Sequence, residues 1–295
     1  LEFQQLRGFF LFSEFNITDA ELSDLVNKLR IDDVNKARKG QVTVDYQRFA
    51  SFKPEDDNAK NKFFKYVDPQ LLKKPTYQKF IALNDNYERD TGIRENDTPQ
   101  EKKEVSEFLD AVTATKVWNS LYNFLHRNKH PYATNKKNLY KWVQQLWFTK
   151  YSRKGGVPDT SGFEHVFIGE IKNNEIFGLH NWLRFYLLEN DPKEDFNYRG
   201  FVIKRFNVMA ALRYSWKKEF KRTGSFLIGT SPEFDLALYT LCFLSRPVPQ
   251  TCNFEIDGCQ VQISSFHLYQ NQKPFIGSIY PTAGKMTALC AAKKS

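Results

Sequence analysis

An α+β fold is what this 295-residue sequence predicts. Three observations carry that reading. The first half shows apolar residues at helical spacing behind helix caps. The second half shows short runs of bulky β-forming residues separated by turn chemistry. The two patterns change over near residue 150, at the loop-forming stretch Ser152-Arg153-Lys154-Gly155-Gly156-Val157-Pro158. The expected organisation is a mainly helical region over 1–150 and a β-rich region over 151–295, both parts of one continuous domain.

Along the chain, Thr18-Asp19-Ala20-Glu21 is a capping box, and Leu22, Leu25, Val26 and Leu29 follow on one helical face. Residues 31–62 are polar with few apolar anchors and read as a loop. Prolines at 69 and 75 punctuate the chain before Tyr77, Phe80 and Ile81. Thr98-Pro99-Gln100-Glu101 is a second capping box, with proline where its missing N–H costs nothing. Val105, Phe108, Leu109 and Val112 line the face that follows, and two further amphipathic stretches run from Val117 to Leu125 and from Leu139 to Trp147. Beyond residue 150, Phe163 to Ile171 places bulky residues on alternate positions. Asn173-Asn174 turns the chain and Ile176-Phe177 begins a return strand, so a hairpin is expected. Trp182 to Leu188 reads as a short helix, and Ser231-Pro232-Glu233 caps another through Leu236 and Phe243. Strands are expected at 201–206, 225–228, 252–256, 261–268 and 275–280.

Composition excludes several classes. With 27 Phe, 14 Tyr and 5 Trp the chain has too much apolar payload to be disordered, and with four cysteines it is not disulfide-dense. The net charge of +9 combined with many rings suits single-stranded nucleic acid, since cations neutralise phosphates and rings stack on bases. A solubilising surface over an aromatic core gives the same numbers, and composition alone favours that plainer reading. Cys242, Cys252, Cys259 and Cys290 show no metal-ligand spacing; one or two disulfides and four buried thiols fit equally. The start, Leu1-Glu2-Phe3, has no leader-like pattern, so either the protein is not exported or a signal has been removed. The sequons at Asn16 and Asn96 argue only faintly for secretion.

Five histidines are few enough for a pair to inform. His165 stands between Glu164 and Glu170, and His180 follows the turn that brings the chain back. A hairpin would face both into one cleft, where two imidazoles can take and give a proton; two hydrogen-bonded structural histidines are the equal alternative. Lys221 alone reads as a solvated charge. With the two histidines it completes a set suited to transesterification of an RNA phosphodiester: a base for the ribose 2′-OH, an acid for the leaving oxygen, and an ammonium for the charge gathering on phosphorus.

At this point the residues resemble a family. The blocks Phe163-Glu164-His165-Val166-Phe167-Ile168-Gly169-Glu170, Gly178-Leu179-His180-Asn181-Trp182-Leu183-Arg184-Phe185 and Gly229-Thr230-Ser231-Pro232-Glu233-Phe234-Asp235 are similar to the EndoU (XendoU-like) poly(U)-specific endoribonucleases. Val67-Asp68-Pro69, Pro75-Thr76-Tyr77, Leu146-Trp147-Phe148 and Tyr151-Ser152-Arg153 resemble the helical part of that family, so the likeness runs from about residue 64 to the C-terminus. The resemblance implies two antiparallel sheets flanking a cleft, and cleavage of single-stranded RNA 3′ of uridines to leave 2′,3′-cyclic phosphate ends. It also implies stimulation by a divalent cation, Mn²⁺ or Ca²⁺, in a structural or activating role. The family's catalytic histidines fall on His165 and His180 and its lysine on Lys221, in preference to the neighbouring Lys217 and Lys218. His180 is then the general base and His165 the general acid. Glu164 and Glu170 match the family's carboxylates, as catalytic support or metal ligands, while Ser278 and Tyr280 match its base- and ribose-binding element. Trp182 is expected near the cleft.

The expected partner is uridine-containing single-stranded RNA and not DNA, with an anionic membrane surface as a further candidate and a monomer as the expected state. Animal relatives of this kind are often secreted, which favours the secretory pathway over cytoplasm or nucleus. Two other readings compete. A non-catalytic RNA- or phospholipid-binding module would rest on the basic clusters at Lys136-Lys137, Lys141 and Lys217-Lys218. A metal-dependent phosphodiesterase using Glu164 and Glu170 would still cut 2′-deoxy substrates.

Overall fold

The computed structural model describes residues 15, 17–51, 53, 56–95, 97–153 and 156–293; the sequon asparagines Asn16 and Asn96 lie outside them. In the first half, α1 (Asp19–Asp32) and α4 (Pro99–Thr113) each begin with the expected capping box, in which Thr18 and Thr98 accept from the backbone of Glu21 and Glu101. Between them lie the two-stranded pair β1 (Val42–Val44) and β2 (Phe64–Val67), then α2 (Pro69–Leu72) and α3 (Pro75–Ala82). Helix α5 (Lys116–Arg127) packs on α1 and is followed by α6 (Lys136–Phe148). Among the described residues, no helix is long and apolar enough to cross a membrane.

The second half carries two larger sheets. One joins β3 (Glu170–Lys172), β4 (Glu175–Phe177), β5 (Phe196–Arg205), β6 (Met209–Trp216) and β7 (Glu219–Leu227) in the order β3-β4-β7-β6-β5. The other joins β8 (Cys252–Ile256), β9 (Cys259–Gln270) and β10 (Lys273–Ala283) as an antiparallel meander. Helices α7 (Trp182–Asn190) and α8 (Pro232–Ser245) are interleaved with these strands, and α9 (Ala288–Ala291) closes the chain. Every residue of α8 is buried, so it forms the central strut of the molecule. Buried side chains from Phe15 to Cys290 make one contiguous apolar cluster.

Three expectations need correction. The five-stranded sheet is mixed, because β4 and β7 run parallel. The stretch from Phe163 is not a strand up to Glu170: residues Glu164–Ile168 form a single π-helical turn, closed by the Gly169 N–H donating to the Glu164 carbonyl at 2.8 Å. Phe163, Val166 and Phe167 satisfy a helical spacing as well as a rough alternation, and all three are fully buried, so their pattern could not separate the two. The hairpin itself forms, shifted to β3 and β4, with Asn173 and Asn174 at φ 51° and 60° as its two-residue turn requires. Lys221, expected just ahead of a strand, lies within β7.

The four cysteines form two disulfides, Cys242–Cys252 between α8 and β8 and Cys259–Cys290 between β9 and α9. Both fasten the three-stranded sheet to a neighbouring helix.

Candidate active site

The π-turn and the start of α7 are stitched together by main-chain hydrogen bonds. The Leu179 N–H donates to the His165 carbonyl at 3.0 Å and the His180 N–H to the Val166 carbonyl at 2.6 Å. Gly178 makes this approach possible: it sits at φ +63°, and a Cβ there would stand 1.6 Å from the His165 carbonyl oxygen. His165 and His180 are thus brought to one wall by backbone, fifteen residues apart in sequence.

Both rings line a cavity of about 400 Å³ whose other walls come from both larger sheets. Lys221, Thr223 and Ser225 of β7 and Ile203 of β5 stand on one side; Ser278, Tyr280 and Thr282 of β10 stand on the other. A register shift in β10 between Ile276 and Ser278, at Gly277, turns the Ser278 hydroxyl toward His165.

Each imidazole has one nitrogen committed. His165 Nδ1 lies 2.7 Å from Glu170 Oε1, so the carboxylate fixes Nδ1 as the protonated nitrogen and leaves Nε2, 3.0 Å from Ser278 Oγ, to exchange protons. His180 Nδ1 donates to the Ser225 carbonyl at 2.9 Å, again leaving Nε2. Glu170 is held in turn by Thr160, whose hydroxyl donates to Oε2 at 2.6 Å, and by the Arg153 guanidinium, whose Nε stands 2.7 Å from Oε1. Lys221 Nζ donates to the Ile176 carbonyl at 2.9 Å. The Tyr280 ring is flanked by His180, with centroids 5.3 Å apart, and by the half-exposed Phe266, stacked at 5.9 Å.

Burial sets the electrostatics of these groups. It pushes His165 down to about 4, helped by Arg153 and opposed by Glu170. His180 is pushed well below the ordinary histidine value by burial first, then by the Lys221 and His165 charges. Lys221 falls to about 8 through burial, against the pull of Glu170 and Glu175. Burial also raises Glu170, but the His165, Arg153 and Thr160 contacts outweigh it and hold the carboxyl below its ordinary range. At neutral pH the cavity therefore presents two neutral imidazoles and an ammonium, with the Glu170 carboxylate buried behind His165.

The other expected residues sort as follows. Trp182 is not at the cavity: it is fully buried, and its Nε1–H donates to the Thr230 carbonyl at 2.8 Å, so it is a core residue and cannot stack on a ligand. Lys217 and Lys218 lie exposed at the β6–β7 turn, away from the cavity wall. Glu164 is fully buried and accepts from the Ser161 N–H at 3.2 Å. Burial, with Glu95 and Glu170 nearby, pushes its carboxyl well above the carboxylate range. Glu164 and Glu170 do not fit a divalent cation. Both oxygens of Glu170 already face hydrogen-bond or guanidinium partners, and Glu164 favours its proton. Among the described residues no group of three His, Cys, Asp or Glu side chains could hold a metal ion.

Sequence reasoning gave no role to Arg153, Thr160 or the Ser225 carbonyl. Arg153 and Thr160 stand 17 and 10 residues before Glu170, on irregular chain with no periodicity to flag them. The short Tyr151–Thr160 bridge and the Arg153 N–H donating to Asp159 Oδ1 at 2.8 Å bring them beside it.

Comparison with known proteins places the chain. The family model described as Endoribonuclease XendoU matches residues 21–281. A Danio rerio protein named uridylate-specific endoribonuclease B is 38% identical over 287 residues, covering 90% of this chain and 97% of the relative. A Xenopus laevis protein, uridylate-specific endoribonuclease C, is 36% identical over 276 residues, covering 90% and 89%. The Bos taurus uridylate-specific endoribonuclease is 35% identical over 291 residues, covering 95% and 70%. The solved structure of XendoU, described as a splicing-independent snoRNA-processing endoribonuclease, superposes with a TM-score of 0.76 at 34% identity, over 90% of this chain and 97% of that one. With the family match running from within α1 into β10, across both cavity-lining sheets, the chain is an enzyme of the XendoU endoribonuclease family.

Proposed function

We propose that this enzyme cleaves single-stranded RNA 3′ of uridines by attack of the ribose 2′-oxygen on the adjacent phosphorus. The 2′-O–P bond forms and the P–O5′ bond breaks, giving a 2′,3′-cyclic phosphate and a 5′-hydroxyl. His180 Nε2 takes the 2′-OH proton, and the minor imidazolium form of His165, protonated at Nε2 as well as Nδ1, delivers its Nε2 proton to the departing O5′. The Lys221 ammonium faces the phosphoryl oxygens as negative charge gathers on them. Tyr280 stacks on the base or ribose and Ser278 hydrogen-bonds the uracil edge. DNA is excluded because it lacks the nucleophile. The single observation that carries this reading is the presence in one cavity of two imidazoles, each with Nδ1 committed and Nε2 left to work.

Stimulation by Mn²⁺ or Ca²⁺ belongs to the proposal, with the cation acting outside the carboxylate pair just described; full activity after exhaustive chelation would contradict it. Action as a monomer also belongs to the proposal; sedimentation at working concentration tests it. Two disulfides support work in the secretory pathway or outside the cell, where such bonds persist.

The test is an oligonucleotide with one uridine, labelled at both ends. Cleavage should stop at that uridine and leave a cyclic phosphate, and a 2′-deoxyuridine in its place should abolish it. Alanine at His165 or His180 should each slow cleavage by roughly 10²–10⁴. A 2′-deoxy substrate cut at the parent rate would overturn the mechanism.

A further inference from the structure

A second concavity, of about 450 Å³, opens where α4, α5 and α6 meet, and it shares no lining residue with the catalytic cavity. Trp118 forms part of its wall, anchored from beneath by its Nε1–H donating to the Glu233 carbonyl at 3.1 Å. Tyr122 and Tyr140 are half-buried beside it. Tyr122 stacks on His126, with centroids 5.3 Å apart and planes 18° off parallel, so its ring is held in orientation. Lys136 Nζ donates to Asn119 Oδ1 at 2.7 Å and stands 5.7 Å from the Tyr122 ring centre; Lys137 is exposed next to it. No acidic side chain lines this concavity, although the Tyr140 hydroxyl is directed to Ser106 and Asp110 at its edge.

Rings with fixed orientation next to unneutralised ammonium groups reproduce the alternation of base and phosphate along a single strand. The two lysines are also badly placed for the helix itself. They occupy the first turn of α6, which has no acidic residue, and positive charge there opposes the helix dipole. An anionic ligand would relieve that opposition. A membrane surface fits less well, because the rings line a hollow instead of projecting and two cations fall short of a polybasic face.

We propose that this concavity is a second nucleotide subsite for single-stranded RNA, with a base held between Tyr122 and Tyr140 above the buried Trp118 and phosphates met by Lys136 and Lys137. The inference rests on RNA being the substrate, and concerns strand outside the cleavage step.

The test compares a uridine-containing dinucleotide, too short to reach both cavities, with a 20-nucleotide RNA holding one uridine. A Lys136→Glu/Lys137→Glu double variant and Tyr122→Ala are measured against the parent. Glutamate in a first helical turn favours the helix, so the charge reversal leaves α6 intact. Dinucleotide turnover should stay within about twofold of the parent, while KM for the 20-mer rises roughly tenfold or more. The salt dependence of 20-mer binding should become shallower by about 1.4–2 units of slope in the double variant, which loses two phosphate contacts. A photoreactive 20-mer should crosslink to residues 116–140 of the parent protein, a readout that needs no variant. Unchanged KM for the 20-mer in both variants, an equal loss on both substrates, or no crosslink in that segment would overturn the subsite. So would loss of binding to phosphatidylserine vesicles with the 20-mer KM unchanged. A parent enzyme that binds the 20-mer through this segment yet cleaves neither RNA would refute the proposed function and leave the subsite standing.

Discussion

Replacing Glu170 by Gln tests whether the carboxylate sets the protonation of His165. The substitution keeps size and a hydrogen-bonding oxygen but removes the charge 2.7 Å from Nδ1. A hydrogen bond to a charged partner contributes about 1.5–3 kcal/mol and a neutral one about 1 kcal/mol. The imidazolium therefore loses on the order of 1–2 kcal/mol, about one pKa unit, from a value already pushed down to about 4. The protonated fraction falls about tenfold. An amide can also donate to Nδ1, so the tautomer is no longer enforced; comparable exchanges beside catalytic histidines are costly. Together these give a loss of about 10²–10³ in kcat/KM on a single-uridine RNA. The decisive comparison is uridine 3′-(4-nitrophenyl phosphate), whose leaving group departs without a proton. On that substrate the Glu170→Gln loss should shrink to a few-fold. Equal losses on both substrates would refute the assignment of His165 as the acid, and a variant within threefold of the parent on RNA would refute the role of Glu170. The same variant strands the Arg153 guanidinium without its ion-pair partner, so urea denaturation should show a destabilisation of about 1–3 kcal/mol.

Lys221 must be charged to face the phosphate, and its ammonium form is held below about pH 8; kcat/KM, already declining above about 4 as the His165 imidazolium is lost, should fall more steeply as pH rises through about 8, and Lys221→Arg should move that steepening to higher pH. Gly178→Ala forces a Cβ against the His165 carbonyl in a left-handed conformation, and should cost about 2–5 kcal/mol in thermal or urea unfolding together with most of the activity. Trp182→Phe removes the buried indole bond to Thr230 and part of a fully buried ring; it should lower stability by about 1–3 kcal/mol while kcat/KM per folded molecule stays at the parent value, and a selective KM increase would restore Trp182 to the substrate path.

Much of the fold was legible because its signals are local. Both capping boxes, the Ser231 cap of α8 and the Asn173-Asn174 turn each sit within a few consecutive residues, and each appears where the pattern put it. The π-turn was not legible, since five residues are too few for periodicity to separate a helical from an extended apolar run. In the site, the two histidines and Lys221 could be named as a chemical set, and the structure brings them to one cavity with Ser278 and Tyr280. Trp182 misled because an aromatic next to His180 looks equally suited to a ligand or to the core, and only tertiary burial decides. Arg153 and Thr160 escaped for the opposite reason, because a charged or hydroxyl side chain on irregular chain gains meaning only from the carboxylate it meets.

The backbone stitching of residues 165–180 divides labour within the cavity. The two proton-carrying rings belong to one rigid segment whose spacing is fixed by main-chain bonds, while the groups facing them, Ser278 and Tyr280, ride on a strand of a different sheet. A displacement of β10 relative to the other sheet would change the width of the cavity while the main-chain bonds keep the spacing between the rings. Substitutions along β10 should therefore reshape the wall opposite the rings without moving the rings relative to each other, Ser278 excepted because its hydroxyl meets His165 Nε2.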